Sequence, residues 1–433
     1  MTLTRLAPLR VPQQNRTLEN GLRVVVHEDH TSPIVAVHLM YHAGSKDERP
    51  GRTGLAHLLE HLLFEGSENC AKGEFDRLLE RAGGTNNGST WLDRTNYYEV
   101  VPSHAVELAL WLERERMAHF LPVLDDAMLE VQRGVVMNER RQSCDNRPYG
   151  LADERLHELL FPAPHPYSWP TIGYMRDLEE MSVEDARGFF ERFYTPRNAV
   201  LVLAGDVTPD HGFDLAERYF GDLPAGPELN GRGRGAAVPD AAPKRSLTME
   251  DRVTLPRVYR AFAVPAYGSD EWVALDVLTY LLSDGESSRL QRRLVRELQI
   301  ALDVDAYLYP TELEGVLGIV ATARSGAEGS RMEEEIERVL REVAERGVES
   351  DEVAGAVRRA RRDHLAALAN VEERAEELAY ATTVLGAPEA LEGVLDRYAE
   401  VGPEQVQAAV RSHLAGDAGA SVVVVPRPGE VEE

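Results

Sequence analysis

The chain runs through one order of elements twice, and that repetition limits its possible folds more than any single motif does. In the first half NGLRVVVHEDHTSPIVAVHLMYHAGS leads into an apolar helix over 54–65, and in the second RVYRAFAVPAYGSDEW leads into one over 271–283. The halves also close alike. MSVEDARGFFERFYTPRNAVLVLAGDV and VGPEQVQAAVRSHLAGDAGASVVVVPRPG both read as a capped helix, a turn and a β-branched strand. Between them LPAGPELNGRGRGAAVPDAAPK has no apolar period and reads as a linker. The sequence therefore predicts an N-terminal domain over 1–223, a linker over 224–244 and a homologous C-terminal domain over 245–433.

Predicted strands over 23–27, 35–41, 97–101 and 199–204 are interleaved with predicted helices over 104–119, 125–143 and 183–193. Some connections have hairpin lengths and others are helical. The expected fold class is α+β, an α/β sandwich in which each domain packs helices on a mixed, mainly antiparallel sheet.

Asp and Glu number 73 against 47 Lys and Arg, a formal charge of −26 that repels phosphate backbones and anionic lipid surfaces. Nucleic acid and membrane are accordingly excluded as expected partners. No apolar run approaches the roughly 18 residues that span a bilayer. The opening MTLTRLAPLRVPQQNRTLENG contains no apolar signal core. The expected location is the cytoplasm, or the periplasm for a chain already processed. Cys70 and Cys144 are too few for a disulfide framework and are expected as free thiols, not metal ligands.

The chemistry concentrates in GLAHLLEHLLFEG, where His57, Glu60 and His61 stand at i, i+3 and i+4 on one side of a helix. Two imidazoles so placed can face one ion, with Glu60 beside it. This HxxEH order inverts the commoner HExxH zinc motif. Catalytic zinc takes three protein ligands and keeps one position open. The third is sought in LDDAMLEVQRGVVMNERRQS, where Gln132, Val135 and Glu139 are expected along one stripe. Glu130 competes with Glu139, but at about 100° per residue it lies half a turn out of phase. An amphipathic helix, packed through Leu55, Leu58, Leu59, Leu62 and Leu63 with its polar face merely solvated, is the bland alternative.

The phrases HLLEHLLFEGS, GGTNNGSTWLDRTNYYEVVP, EVQRGVVMNERRQ and HPYSWPTIG together resemble the pitrilysin and insulinase family of zinc peptidases. The likeness is to its short branch, which contains mitochondrial processing peptidase and bacterial relatives. That resemblance implies two homologous α/β domains forming half of a clam-shaped chamber, completed by a second such chain, in which peptides or unfolded segments are cut. It implies Zn2+ held by His57, His61 and Glu139, with Glu60 as the general base. It also implies that Asn87 and Gly88 lie on an edge strand that pairs with extended substrate; a Gly-rich turn is the competing reading.

Two departures accompany the resemblance. Gln132 stands where many relatives have a helper Glu. Leu302 stands at the position of a substrate-binding Tyr, and Arg296 is one residue out of the spacing for its companion Arg. In the second half Asp276, Thr279 and Tyr280 align with His57, Glu60 and His61, so no second zinc site is expected. The resemblance thus implies a heterodimer whose zinc-free partner supplies the missing Arg and Tyr, with a homodimer as the other arrangement. The alternative function is a non-catalytic scaffold that keeps the fold.

Overall fold

The computed structural model describes residues 8–229, 245–415 and 418–428. Of the predicted linker, residues 230–244 lie outside the described residues. The first half contributes strands β1 (Gln14–Thr17), β2 (Arg23–Glu28), β3 (Ile34–Tyr41), β4 (Thr85–Thr90), β5 (Thr95–Pro102) and β6 (Ala199–Gly205), ordered β1-β2-β6-β3-β5-β4. The second half contributes β7 (Arg245–Asp251), β8 (Arg257–Val264), β9 (Ala301–Tyr309), β10 (Gly315–Ala323) and β11 (Ala420–Pro426), ordered β7-β11-β8-β10-β9. With β1 set aside, each sheet has the spatial order first, fifth, second, fourth, third. In each, the first and fifth strands pair parallel and the other neighbours antiparallel. The repeat seen in the sequence is thus a repeat of topology, and the fold class is as expected.

The inner strands β2, β3 and β6 of the first sheet are apolar on both faces. In β3, Val35, Val37, Leu39 and Tyr41 enter the core of the first half, whereas Ala36 and Met40 point to the opposite face. That second face is covered by the other half. Helix Val371–Tyr380 lays Ala375, Leu378 and Ala379 on it, packed against β3 and β6. Reciprocally, helix Ala152–Leu160 of the first half places Ala152, Leu156 and Leu160 on Tyr259, Ala261, Val422 and Val424 of the second sheet. Each sheet therefore depends on its neighbour for one roof, and the halves hold each other by apolar burial.

Polar contacts reinforce that union beside the first sheet. Lys46 Nζ pairs with Asp93 Oδ1 at 2.9 Å and also with Glu312. His42 Nε2 lies 2.6 Å from Glu312 Oε2, and Tyr167 Oη donates to Asp93 Oδ1 at 2.7 Å. With Lys46 and His42 alongside, the Glu312 carboxyl is held down to about 2 despite the opposing effect of burial.

The HPYSWPTIG phrase has a structural task. Trp169 Nε1 donates to Ser45 O at 2.8 Å, and Gly173 presses on the start of the HxxEH helix. Gly173 has φ +79°, and a Cβ there would meet Thr53 O at 2.3 Å and Gly54 Cα at 2.5 Å. Gly173→Ala is expected to destabilise the chain by well over about 1 kcal/mol, read as a fall in the urea midpoint. An unchanged midpoint would remove this segment from the account of how the helix is seated.

Candidate active site

The HxxEH helix, Leu55–Leu62, buries Leu55, Leu58, Leu59 and Leu62, and Leu63 follows them into the core. Its N-terminus has no side-chain cap of its own. Glu48 supplies one from outside the helix, accepting from Gly54 N at 2.9 Å and Ala56 N at 2.8 Å. Clamped at that end and packed along one face, the helix has little freedom to rotate. The His57 and His61 rings lie edge to face with centroids 4.8 Å apart.

Glu139 comes from the distal helix, Asp126–Arg140, which packs across the HxxEH helix. Its Oε2 lies 3.8 Å from His57 Nε2 and 3.4 Å from His61 Nε2. Glu139 is bonded to neither neighbouring arginine. Arg140 turns away to Glu154 at 2.9 Å and to Gly173 O, and Arg141 goes to Asn138. Glu130 is exposed and pairs with Arg133 at 2.6 Å. Val135, expected on the same stripe as Gln132 and Glu139, is instead exposed; the buried stripe is Leu129, Gln132, Val136 and Arg140. A step of three from Gln132 falls about 60° short of a full turn, toward solvent, whereas a step of seven returns within about 20°.

Among the described residues, His57, His61 and Glu139 are the one group of at least three His, Cys, Asp or Glu side chains that could hold a metal, with ligand atoms within 4.8 Å of one another. Tetrahedral zinc with bonds of about 2.0–2.1 Å sets its ligand atoms roughly 3.4 Å apart, so the donor set and spacing fit zinc with small adjustments. Burial lowers the His57 pKa to about 4, favouring the neutral imidazole a metal needs. His61 is raised: burial opposes its charge, but Glu139, Glu60 and Gln132 outweigh burial. Its contact with His61 in turn lowers Glu139.

Glu60 is buried and its pKa is raised, chiefly by that burial. Thr90 Oγ1, at the end of β4, donates to Glu60 Oε2 at 2.6 Å. Glu60 thus shares the helix face of the two histidines, with one oxygen held by a hydroxyl.

A sequence model described as Insulinase (Peptidase family M16) matches residues 23–165, and one described as Peptidase M16 inactive domain matches residues 180–360. The chain belongs to the insulinase family, peptidase family M16. Among M16 relatives, a protein named zinc protease PqqE from Helicobacter pylori is 32% identical over 333 residues, 75% of this chain and 73% of that protein. An uncharacterized zinc protease, YmxG of Bacillus subtilis, is 24% identical over 404 residues, 93% of this chain and 95% of the relative. The crystal structure of a protease from Helicobacter pylori matches with TM-score 0.88 and 26% identity, covering 96% of this chain and 99% of that one. A Pseudomonas fluorescens structure described as a peptidase M16 inactive domain has the same fold, with TM-score 0.85 at 20% identity over 96% and 98% of the two chains.

The remaining expected M16 residues are distributed unevenly. Asn87 and Gly88 lie on β4, an edge strand and not a turn, opposite Tyr98 and Tyr97 of β5. Gly88 is tightly lined: a Cβ would meet Phe64 and Tyr97 ring carbons at 3.1 Å. Leu302 is half exposed on β9, the edge of the second sheet, and Arg296 makes an exposed pair with Glu286 at 3.5 Å. In the second half Tyr398 Oη donates to Asp276 Oδ2 at 2.8 Å, Thr279 bonds its own helix, and Tyr280 Oη donates to Asp363 at 3.1 Å. Hydrogen bonds there join helices Asp270–Leu282 and Ser350–Ala369, which pack together. Sequence reasoning missed Glu48, Thr90 and Glu65. Each acts from outside the motif's helix, so no periodicity marks it.

Proposed function

We propose that this chain is the zinc-bearing catalytic subunit of an M16 endopeptidase that cleaves peptides or unfolded protein segments. The observation that carries this reading is the convergence of His57, His61 and Glu139 from two helices, with buried Glu60 on the same face as the imidazoles. The three converging side chains would hold the ion. Bound there, zinc supplies Lewis acidity toward water and toward the scissile carbonyl. Glu60 takes the attacking water's proton and passes it to the leaving amine, its raised pKa making it a stronger base than an ordinary carboxylate. Thr90 fixes one Glu60 oxygen, leaving the other for the proton. The unpaired side of β4, with Asn87 and Gly88, offers backbone groups to an extended peptide.

A second chain of the family completes the substrate chamber in this proposal, supplying the Tyr whose position here holds Leu302 and the Arg for which Arg296 is one residue out of the spacing. The non-catalytic scaffold remains the alternative, favoured by Leu302. Metal analysis and peptide cleavage, with and without whatever family chain co-purifies from the native host, separate the two. The expected result is about one zinc per chain, lost in His57→Ala, with turnover appearing on mixing. No zinc and no cleavage in either mixture would leave the scaffold; full activity as a homodimer would remove the division of labour.

A further inference from the structure

Gln132 is buried on the distal helix, two turns before Glu139. Its Nε2 donates to Glu65 Oε1 at 2.6 Å, and its side chain also helps to raise the pKa of the His61 imidazole. Glu65 follows the HxxEH helix, its backbone N–H returning to Leu62 O at 3.0 Å, and its side chain is 12% exposed. Its second oxygen pairs with Lys72. An amide is suited to this middle position because its carbonyl accepts from a ring N–H while its NH2 donates to a carboxylate. A glutamate at 132 could not fill the same role beside Glu65, since two carboxylates would then face each other.

We propose that Glu65 is a positioning residue for the metal site, acting on His61 through the Gln132 amide and carrying the negative charge that the distal helix lacks at 132. This rests on the reading of His57, His61 and Glu139 as zinc ligands. Partners that orient a ligating imidazole raise its basicity, and their loss costs about 10–100-fold in metal affinity. The charge sits one side chain farther from the ring than a glutamate at 132 would place it, so the amide has to transmit orientation as well as polarity.

The test is the zinc dissociation constant of the full chain, measured by chelator competition, together with the melting temperature of the metal-free protein. Glu65→Gln, nearly isosteric, is expected to weaken zinc binding about 10–100-fold while leaving the metal-free melting temperature unchanged. Adding Gln132→Glu to Glu65→Gln returns a carboxylate to His61 and should recover most of that loss. Lys72→Met, which removes only the outer ion pair, should change affinity by less than about fivefold. Parental affinity in Glu65→Gln, or no recovery in the double variant, would overturn the proposal. So would a melting-temperature loss that accounts for the weakened binding. If the parent chain binds no zinc, the functional reading falls and this falls with it; if the parent binds and Glu65→Gln matches it, only the relay fails.

Discussion

Glu60→Gln is expected to lower peptide hydrolysis by about 10²–10⁴-fold while zinc content stays at the parental level. The substitution preserves shape and leaves a carbonyl oxygen that can accept from Thr90, so the helix has no reason to move. What it removes is the capacity to take a proton. Because Glu60 lies on the turn that separates the two histidines, a metal lost together with activity would point to a role in holding the ion. The decisive comparison is metal content against turnover number on one preparation: hydrolysis at the parental rate would take the general-base role away from Glu60. His57→Ala serves as the opposite control, since it should lose both quantities together.

Much of this arrangement was legible in the sequence because it is periodic. The HxxEH spacing places three side chains on one helical face wherever the helix is packed, and the leucines between them state which face is packed. The phase of Glu139 against Glu130 likewise follows from about 100° per residue. Both halves display their strands as β-branched runs in the same order, so the topology repeats. What stayed hidden is non-local. Val25, Ala36 and Met40 mark a second buried face of the first sheet, but nothing near them names helix Val371–Tyr380 as its cover. The Glu48 cap, Thr90 and the Glu65–Gln132 contact join segments that only folding brings together. Strand β4, at the sheet edge among the described residues, was ambiguous because Thr-Asn-Asn-Gly-Ser-Thr carries no apolar alternation.

Least legible of all is the charge beneath the site, and it carries the largest expected effect on stability. Helix Val106–Ala118 contains Glu113, Glu115 and Arg116, and all three are buried. The Arg116 guanidinium lies 4.1 Å from the Tyr97 ring centroid, 4.3 Å from that of Phe75 and 4.9 Å from that of Phe64. It pairs with Glu113, stands 3.8 Å from Glu99, and its Nε donates to Leu63 O at 3.3 Å, at the end of the HxxEH helix. Burial and the neighbouring Glu113 raise the Glu99 carboxyl well above its ordinary range, and Arg116 opposes that rise. Arg116→Met keeps the apolar stem but leaves buried Glu113 without its cation, and it should cost about 3–5 kcal/mol in urea unfolding. Neutralising the acids as well, in Glu99→Gln/Glu113→Gln/Arg116→Met, should restore most of that loss, because well-packed neutral groups often match a buried ion cluster. A single variant within about 1 kcal/mol of the parent, or a triple variant no more stable than the single, would mean that the rings and not the charges hold this helix against the site.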